Sequence, residues 1–270
     1  MYDFSNKTII ITGAAGGIGT ALAREMDRRK ANLVLADINF SGLESSAAGL
    51  TSNPLAIECD ITDRADVKKL VESTVNKFSK IDILINNAGI IRPALFEDCS
   101  YEDIDAQIKV NFMGAVNCSK EVVAVMIPAK QGHIVTICSL AGLVPETYSS
   151  VYTASKFALR GFFLTLAIEL KKHNIKVSTI FPDSTDTPML KYEAFHGGSP
   201  LTFLSDAQSP EKIVRAVIKA IDKGSPEIYS PASTGIFAKI IMCWPRLVTK
   251  LWPLLERQGE KNRKFYMKRC

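Results

Sequence analysis

The sequence predicts a doubly wound α/β domain, a parallel sheet with helices on both faces, and three observations carry that expectation. Short, continuously apolar runs alternate with longer stretches of helical spacing. A glycine-rich turn joins the first apolar run to the first helical stretch. The length of 270 residues suits one such domain, which commonly takes roughly 200 to 250 residues.

In chain order, residues 8–12 (TIIIT) form the first buried strand, and residues 18–29 have helical spacing. Residues 32–36 (NLVLA) and 55–59 are strands, 65–78 a helix, and 81–85 (IDILI) a further apolar run. Residues 133–137 and 176–181 continue the sheet, set apart by helical stretches at 101–127 and 151–173. Strands apolar at successive positions are covered on both faces, which is the condition of a parallel sheet. No solenoid repeat or low-complexity segment interrupts the pattern.

Composition narrows the function classes. With 47% hydrophobic and 23% charged residues, the chain falls among ordinary globular proteins and away from disordered or multispanning ones. Its six cysteines contain no CxxC pair, and it opens with the polar MYDFSNKT, so a reducing cytoplasmic setting is expected. His133, His173 and His196 have no i, i+4 partner, which argues against a metal site.

The turn is Thr12-Gly13-Ala14-Ala15-Gly16-Gly17-Ile18-Gly19. Glycines there permit a tight bend, close approach of backbone to a pyrophosphate and close packing of helix on strand, while the helix N-terminus supplies N–H donors. Asp37, at the end of the second strand, stands where a carboxylate hydrogen-bonds an adenosine ribose and repels a 2′-phosphate. Neither the turn nor Ile38 and Asn39 offers a basic partner for that phosphate, so NAD is favoured over NADP. The fold expected is thus Rossmann-type.

With TGAAGGIG, Asn86-Asn87-Ala88-Gly89 and Tyr152-Thr153-Ala154-Ser155-Lys156 in order, residues 5 to 230 resemble the short-chain dehydrogenase/reductase family and its TGxxxGxG, NNAG and YxxxK motifs. The resemblance implies a cofactor site of Gly13, Gly17, Ile18, Gly19, Asp37, Asp60, Ile61, Asn87, Ala88, Gly89, Tyr152, Lys156 and Thr187. In it Asp60 faces the adenine and Thr187 the nicotinamide carboxamide. It also implies a catalytic tetrad of Asn111, Ser139, Tyr152 and Lys156, with Asn111 holding a water in a proton path.

The residue types support that assignment independently. Hydride transfer to a ketone leaves an alkoxide that needs a proton and donor groups around it. Tyrosine is a weak acid, with an unperturbed pKa of about 10. Lys156 lies four residues on, on the same helix face, where its charge is expected to lower that pKa and its ammonium to hold a ribose hydroxyl. Ser139 ends the strand HIVTICS at the carboxyl edge of the sheet, where ligands bind.

One departure from the family pattern is Pro182-Asp183 where Pro-Gly is usual; the acid is expected near the nicotinamide end, altering the loop or touching substrate. Residues 188–208 form an apolar, flexible stretch suited to a substrate lid.

The tail is distinct. Residues 239–270 hold nine Lys/Arg against Glu256 and Glu260, a charge of +7, which leaves −2 for the remainder of a chain at +5 overall. From Ile236 to Leu255 apolar residues recur at helical spacing, with Lys239, Arg246, Lys250 and Arg257 on another face. The charges forbid a bilayer span, and Pro245 and Pro253 are expected to break or kink the helix. The extension either lies on an anionic membrane surface, making the enzyme peripheral, or packs on the domain or a second subunit.

The domain organisation expected is residues 1–234 as an NAD-binding catalytic domain and 235–270 as a basic amphipathic extension. The function expected is NAD-dependent interconversion of a secondary alcohol and a ketone on an apolar steroid, retinoid or acyl-chain substrate. The alternatives are a soluble 3-oxoacyl-type reductase and a non-catalytic dinucleotide sensor, which has no need of an intact Asn-Ser-Tyr-Lys set. A homo-oligomer is expected, and nucleic acid is not a partner.

Overall fold

In a computed structural model, which describes residues 2–270, the chain alternates strands and helices as the pattern requires. The first half runs β1 (Thr8–Thr12), α1 (Gly17–Arg28), β2 (Asn32–Asp37), α2 (Phe40–Ala47), β3 (Leu55–Glu58), α3 (Arg64–Phe78) and β4 (Ile83–Asn86). It continues through α4 (Tyr101–Ile108), α5 (Ala115–Ala129), β5 (Gly132–Ile137), α6 (Ser150–Leu170) and β6 (Ile175–Pro182). The last part comprises α7 (Pro188–Phe195), α8 (Pro210–Lys223), β7 (Glu227–Ser230), α9 (Ala232–Ile241) and α10 (Pro245–Met267).

All seven strands pair in parallel, in the order β3-β2-β1-β4-β5-β6-β7. Connections from β1 run outward one way through β2 and β3, and those from β4 the other way. The order therefore reverses between β1 and β4, and a crevice opens at their carboxyl ends. Alternation along β1 divides the core in two: Ile10 joins the layer containing Val122, Leu159 and Phe163, while Ile9 and Ile11 join that containing Leu22, Met26 and Val217.

Two helical stretches, Tyr101–Ala129 and Ser150–His173, are long and apolar enough to cross a membrane by composition. Both lie against the sheet, α5 on β4 and β5 and α6 on β6, so one face of each belongs to the core. Between α4 and α5 the helix widens into a π-turn over Lys109–Gly114, which the sequence reading had as continuous helix.

The later segments are more regular than expected. Residues 188–208, expected as a flexible apolar stretch, contain α7 and a 3-10 turn at Pro200–Phe203. Pro245 occupies the first turn of α10, where its missing N–H costs nothing, and Pro253 is carried within a helix that continues to Met267. The tail packs on the domain, one of the placements expected for it. The Trp252 indole donates to the Pro145 carbonyl at 2.8 Å, and the Thr147 hydroxyl to Glu256 at 2.7 Å. Asn262 donates to Phe203 O at 2.8 Å and Arg263 to Gly198 O at 3.0 Å. Gly259 lies so close that a Cβ there would meet the Pro200 carbonyl oxygen at 1.9 Å.

Candidate active site

A cavity of about 650 Å³ runs from the glycine turn, across the carboxyl ends of β1, β4 and β5, to the inner faces of α9 and α10. At its first end Gly13 has φ +64, and a Cβ there would lie 2.7 Å from Ala88 Cα. Only glycine meets both conditions. A Cβ on Gly17 would press on the Thr187 methyl at 2.9 Å, and one on Gly19 on the Gly13 carbonyl at 2.2 Å.

Among the described residues no side chain caps α1, and its first turn holds no acid. The free N–H groups and the positive end of the helix dipole are therefore left for an anion. The cradle, its bare helix terminus and the cavity beyond fit a dinucleotide pyrophosphate.

The surroundings of this cradle are tied together by hydrogen bonds. Thr12 Oγ1 accepts from the N–H groups of Asn87 and Ala88 at 3.1 and 3.2 Å, and the Asn87 amide donates to the carbonyls of Thr12 and Gly13. The NNAG loop is thereby locked against the turn. Asp37 accepts from Ala15 N at 2.9 Å and Asn39 N at 3.0 Å, which fixes its carboxylate at the rim. Asp60 accepts from the N–H and hydroxyl of Thr62, both at 2.8 Å, and lines the cavity beside Ile61.

Of the residues expected in the site, Gly13, Gly17, Ile18, Asp37, Asp60, Ile61, Asn87, Ala88, Gly89, Ser139, Tyr152, Lys156 and Thr187 all line this one cavity. Gly19 and Asn111 do not. Gly19 serves the close packing of turn on helix. Asn111 is buried in the π-turn, where Oδ1 accepts from Ile90 N at 2.7 Å and Nδ2 donates to Ile90 O at 2.9 Å and Ser155 Oγ at 3.1 Å. Both amide donors are spent, so only one Oδ1 lone pair is left for a water. As the chain stands, Asn111 positions the segment after NNAG.

The reacting end combines Ser139, Tyr152 and Lys156. Ser139 Oγ accepts from Ala141 N at 3.1 Å. Lys156 Nζ donates to the Ile137 carbonyl at 3.3 Å and stands 5.4 Å from the centre of the Tyr152 ring. The expected lowering of the Tyr152 pKa is not what the protein alone produces. Burial in the cavity pushes the phenol up, and the charges of Glu146, Glu193 and Cys138 add to this, against a smaller opposing effect of Ser139. Burial also pulls the Lys156 ammonium down. Desolvation has the larger effect because both groups sit within the cavity, screened from bulk solvent by its walls.

Sequence reasoning missed the two carboxyls that add to the effect of burial. Glu193 is buried on α7, where Thr202 Oγ1 donates to it at 2.7 Å, and burial pushes its pKa up to about 7. Glu146 is pushed up to about 8 by burial and then by the charges of Glu193 and Asp183. Asp183 itself is raised by burial, despite accepting from Ser184 N and Ser205 Oγ. Asp183 is not among the residues with positive φ, so its backbone is open to any side chain. The only sequence signal for Glu193 was an acid within the largely apolar run from Met189 to Phe195. The far wall of the cavity, including Phe237, Ile241, Trp252 and Leu255 of the tail, was likewise not foreseen in detail.

A parallel sheet with a glycine cradle at its switch point and a Ser-Tyr-Lys group facing the same cavity defines a dinucleotide-binding α/β protein of the oxidoreductase type. The family model for short chain dehydrogenase matches residues 7–195, and the chain belongs to that family. It is 38% identical over 186 residues to the 3-oxoacyl-acyl-carrier-protein reductase of Thermotoga maritima, covering 68% of this chain and 76% of that one. A short chain dehydrogenase/reductase of Burkholderia phymatum, solved in complex with NAD, superposes with a TM-score of 0.84 at 22% identity, over 92% of this chain and 96% of that chain. The 3-ketoacyl-acyl-carrier-protein reductase of Brucella melitensis, complexed with NADH, superposes with a TM-score of 0.75 at 26% identity, over 84% and 98%.

Proposed function

We propose that this chain is an NAD-dependent oxidoreductase that interconverts a secondary alcohol and a ketone on an apolar substrate. The observation that carries this reading is the single cavity: the glycine cradle lies at one end, Ser139, Tyr152 and Lys156 stand midway, and apolar side chains of α7, α9 and α10 form the other end. When bound, NAD supplies or accepts the hydride. Asp37 supports NAD over its 2′-phosphorylated form, since its fixed carboxylate occupies the place that phosphate needs.

The roles of the side chains follow from their surroundings. In the direction of ketone reduction, Ser139 donates a hydrogen bond to the substrate oxygen and Tyr152 gives it a proton. Burial and the nearby carboxyls keep the phenol protonated, the form that this step consumes, and the raised pKa makes the charge of Lys156 the more necessary for release of the proton. Lys156, held by the Ile137 carbonyl, offers its remaining N–H donors toward the cofactor ribose and steadies the phenolate once the proton has left. Val144, Leu190, Leu204, Phe237, Ile241 and Leu255 around the substrate end support a lipophilic molecule over a small polar one.

A second reading is favoured by the Thermotoga relative: a reductase of 3-oxoacyl groups held on a carrier. The two are separated by whether turnover requires a carrier-linked thioester. We also propose a second copy of the chain against α6, whose outer side exposes Phe157, Leu164 and Ile168.

The test is a screen of lipophilic and carrier-linked ketones and alcohols followed by NADH absorbance, repeated with Tyr152→Phe. That variant keeps the packed ring and is expected to bind NADH as the wild type does while losing at least roughly 100-fold in kcat, the lower range for removing an acid–base group. Unchanged kcat would overturn the mechanism.

A further inference from the structure

The two C-terminal helices have an inner and an outer face, and the fold uses only the inner one. Val248 is buried in the domain, Trp252 and Leu255 line the cavity, and Gly259 rests on Pro200. On the opposite side of α10, Arg246, Lys250, Arg257, Lys261, Lys264 and Lys268 are all exposed. Leu247, Leu254 and Phe265 are exposed among them. At 3.6 residues per turn these nine positions fall within an arc of roughly 100°.

The helix also holds two acids, and neither joins this arc. Glu256 is half-buried and accepts from Thr147, while Glu260 is half-buried and paired with Arg263 at 3.0 Å and Lys264 at 3.7 Å. No exposed residue from 240 onward is an Asp or Glu. The preceding helix and turn add Ile236, Phe237, Ile240 and Trp244, each more than half exposed.

We infer that this outer face seats the protein on an anionic lipid surface. Cations and large apolar side chains mixed in one arc match the boundary between headgroups and acyl chains, where the first meet phosphates and the second enter the apolar layer. An acidic protein surface would satisfy the cations alone and leave Trp244, Leu254 and Phe265 in water. The charges keep α10 flat on the surface rather than across the bilayer. Phe237 belongs both to the exposed face and to the cavity wall, so docking brings the rim of the cavity to the lipid. That last consequence rests on the apolar substrate proposed above; the docking itself does not.

The experiment uses full-length protein sedimented with vesicles of phosphatidylserine and phosphatidylcholine in equal parts, and with phosphatidylcholine alone, at low and high salt. Binding is expected on the mixed vesicles only, and to weaken as salt rises. Each cation near such a surface contributes about fivefold to affinity, so Lys250→Gln/Arg257→Gln/Lys261→Gln is expected to bind roughly 100-fold more weakly. Trp244→Ser/Leu254→Ser tests the apolar part and is expected to weaken binding even where the charges are intact. Reduction of a water-soluble ketone and the unfolding midpoint, expected unchanged in both variants, verify folding.

Failure of the wild type to bind mixed vesicles at low salt would overturn the inference. Equal binding by the charge variant would do so too, as would a dimer in solution that Trp244→Ser/Leu254→Ser dissociates. Since sedimentation does not measure turnover, failure of the enzymatic reading leaves this result standing.

Discussion

Replacing Glu193 by Gln is expected to remove a large part of the pH dependence of stability. Glu193 is buried and bonded to Thr202, and its carboxyl is raised from 4.5 to about 7, first by burial. A folded protein that holds this proton more tightly than the unfolded chain is fully stabilised below pH 4.5 and loses that contribution as pH rises to about 7. Each pH unit between those limits is worth a little over 1 kcal/mol, so the loss amounts to about 3 kcal/mol. Gln keeps the shape and the acceptor oxygen for Thr202 but carries no charge to bury. The assay is urea unfolding without cofactor between about pH 5 and about pH 8. The wild type is expected to weaken across that range and Glu193→Gln to weaken much less. Glu146 adds a slope of the same sign, and that slope shrinks in the variant because Glu193 is one of its causes. Parallel curves for the two proteins would refute the reasoning.

Two other substitutions probe the nucleotide end of the cavity and the seat of α10. Asp37→Ala removes the carboxylate fixed by Ala15 and Asn39, and is expected to narrow the preference for NAD over NADP; KM for both cofactors decides it, and a wild type that already prefers NADP sinks the assignment. Gly259→Ala places a Cβ against the Pro200 carbonyl, a backbone atom that cannot rotate away. Overpacking of about 1–3 kcal/mol then outweighs the gain of up to about 1 kcal/mol from Ala in a helix. A lower unfolding midpoint and faster tryptic cleavage within α10 are expected, and a raised midpoint would show that the helix is not clamped there.

The nucleotide half was legible because its signals are local. Strands β1, β2, β5 and β6 lie within a residue or so of the apolar runs, and the glycines, Asp37 and Asn87 are each placed by a turn or strand end next to them in sequence. Tyr152 and Lys156 were legible through helical spacing. What escaped depends on contacts between distant segments. Whether Glu193 is buried is decided by α7 folding over the cavity, not by its neighbours in the chain. The pKa of Tyr152 follows first from burial in the cavity and then from Glu146, which the chain bend before α6 brings near; a rule about i, i+4 partners sees neither. Strand β7 (EIYS) is too short and too polar to stand out. The phase of the helix around Asn111 depends on one extra residue per turn, which no apolar periodicity of that length reveals.

The position of α10 also orders events during synthesis. Residues 13 to 19, which form the glycine turn, leave the ribosome well before Trp252 and Leu255, which close the opposite wall. Domains gather from their N-terminal side as the chain grows. The nucleotide end can therefore assemble around a cavity still open to solvent along one flank. A nascent chain halted before Pro245 would have its sheet, its glycine turn and its Tyr152 in place but a cavity lacking the wall that α10 supplies.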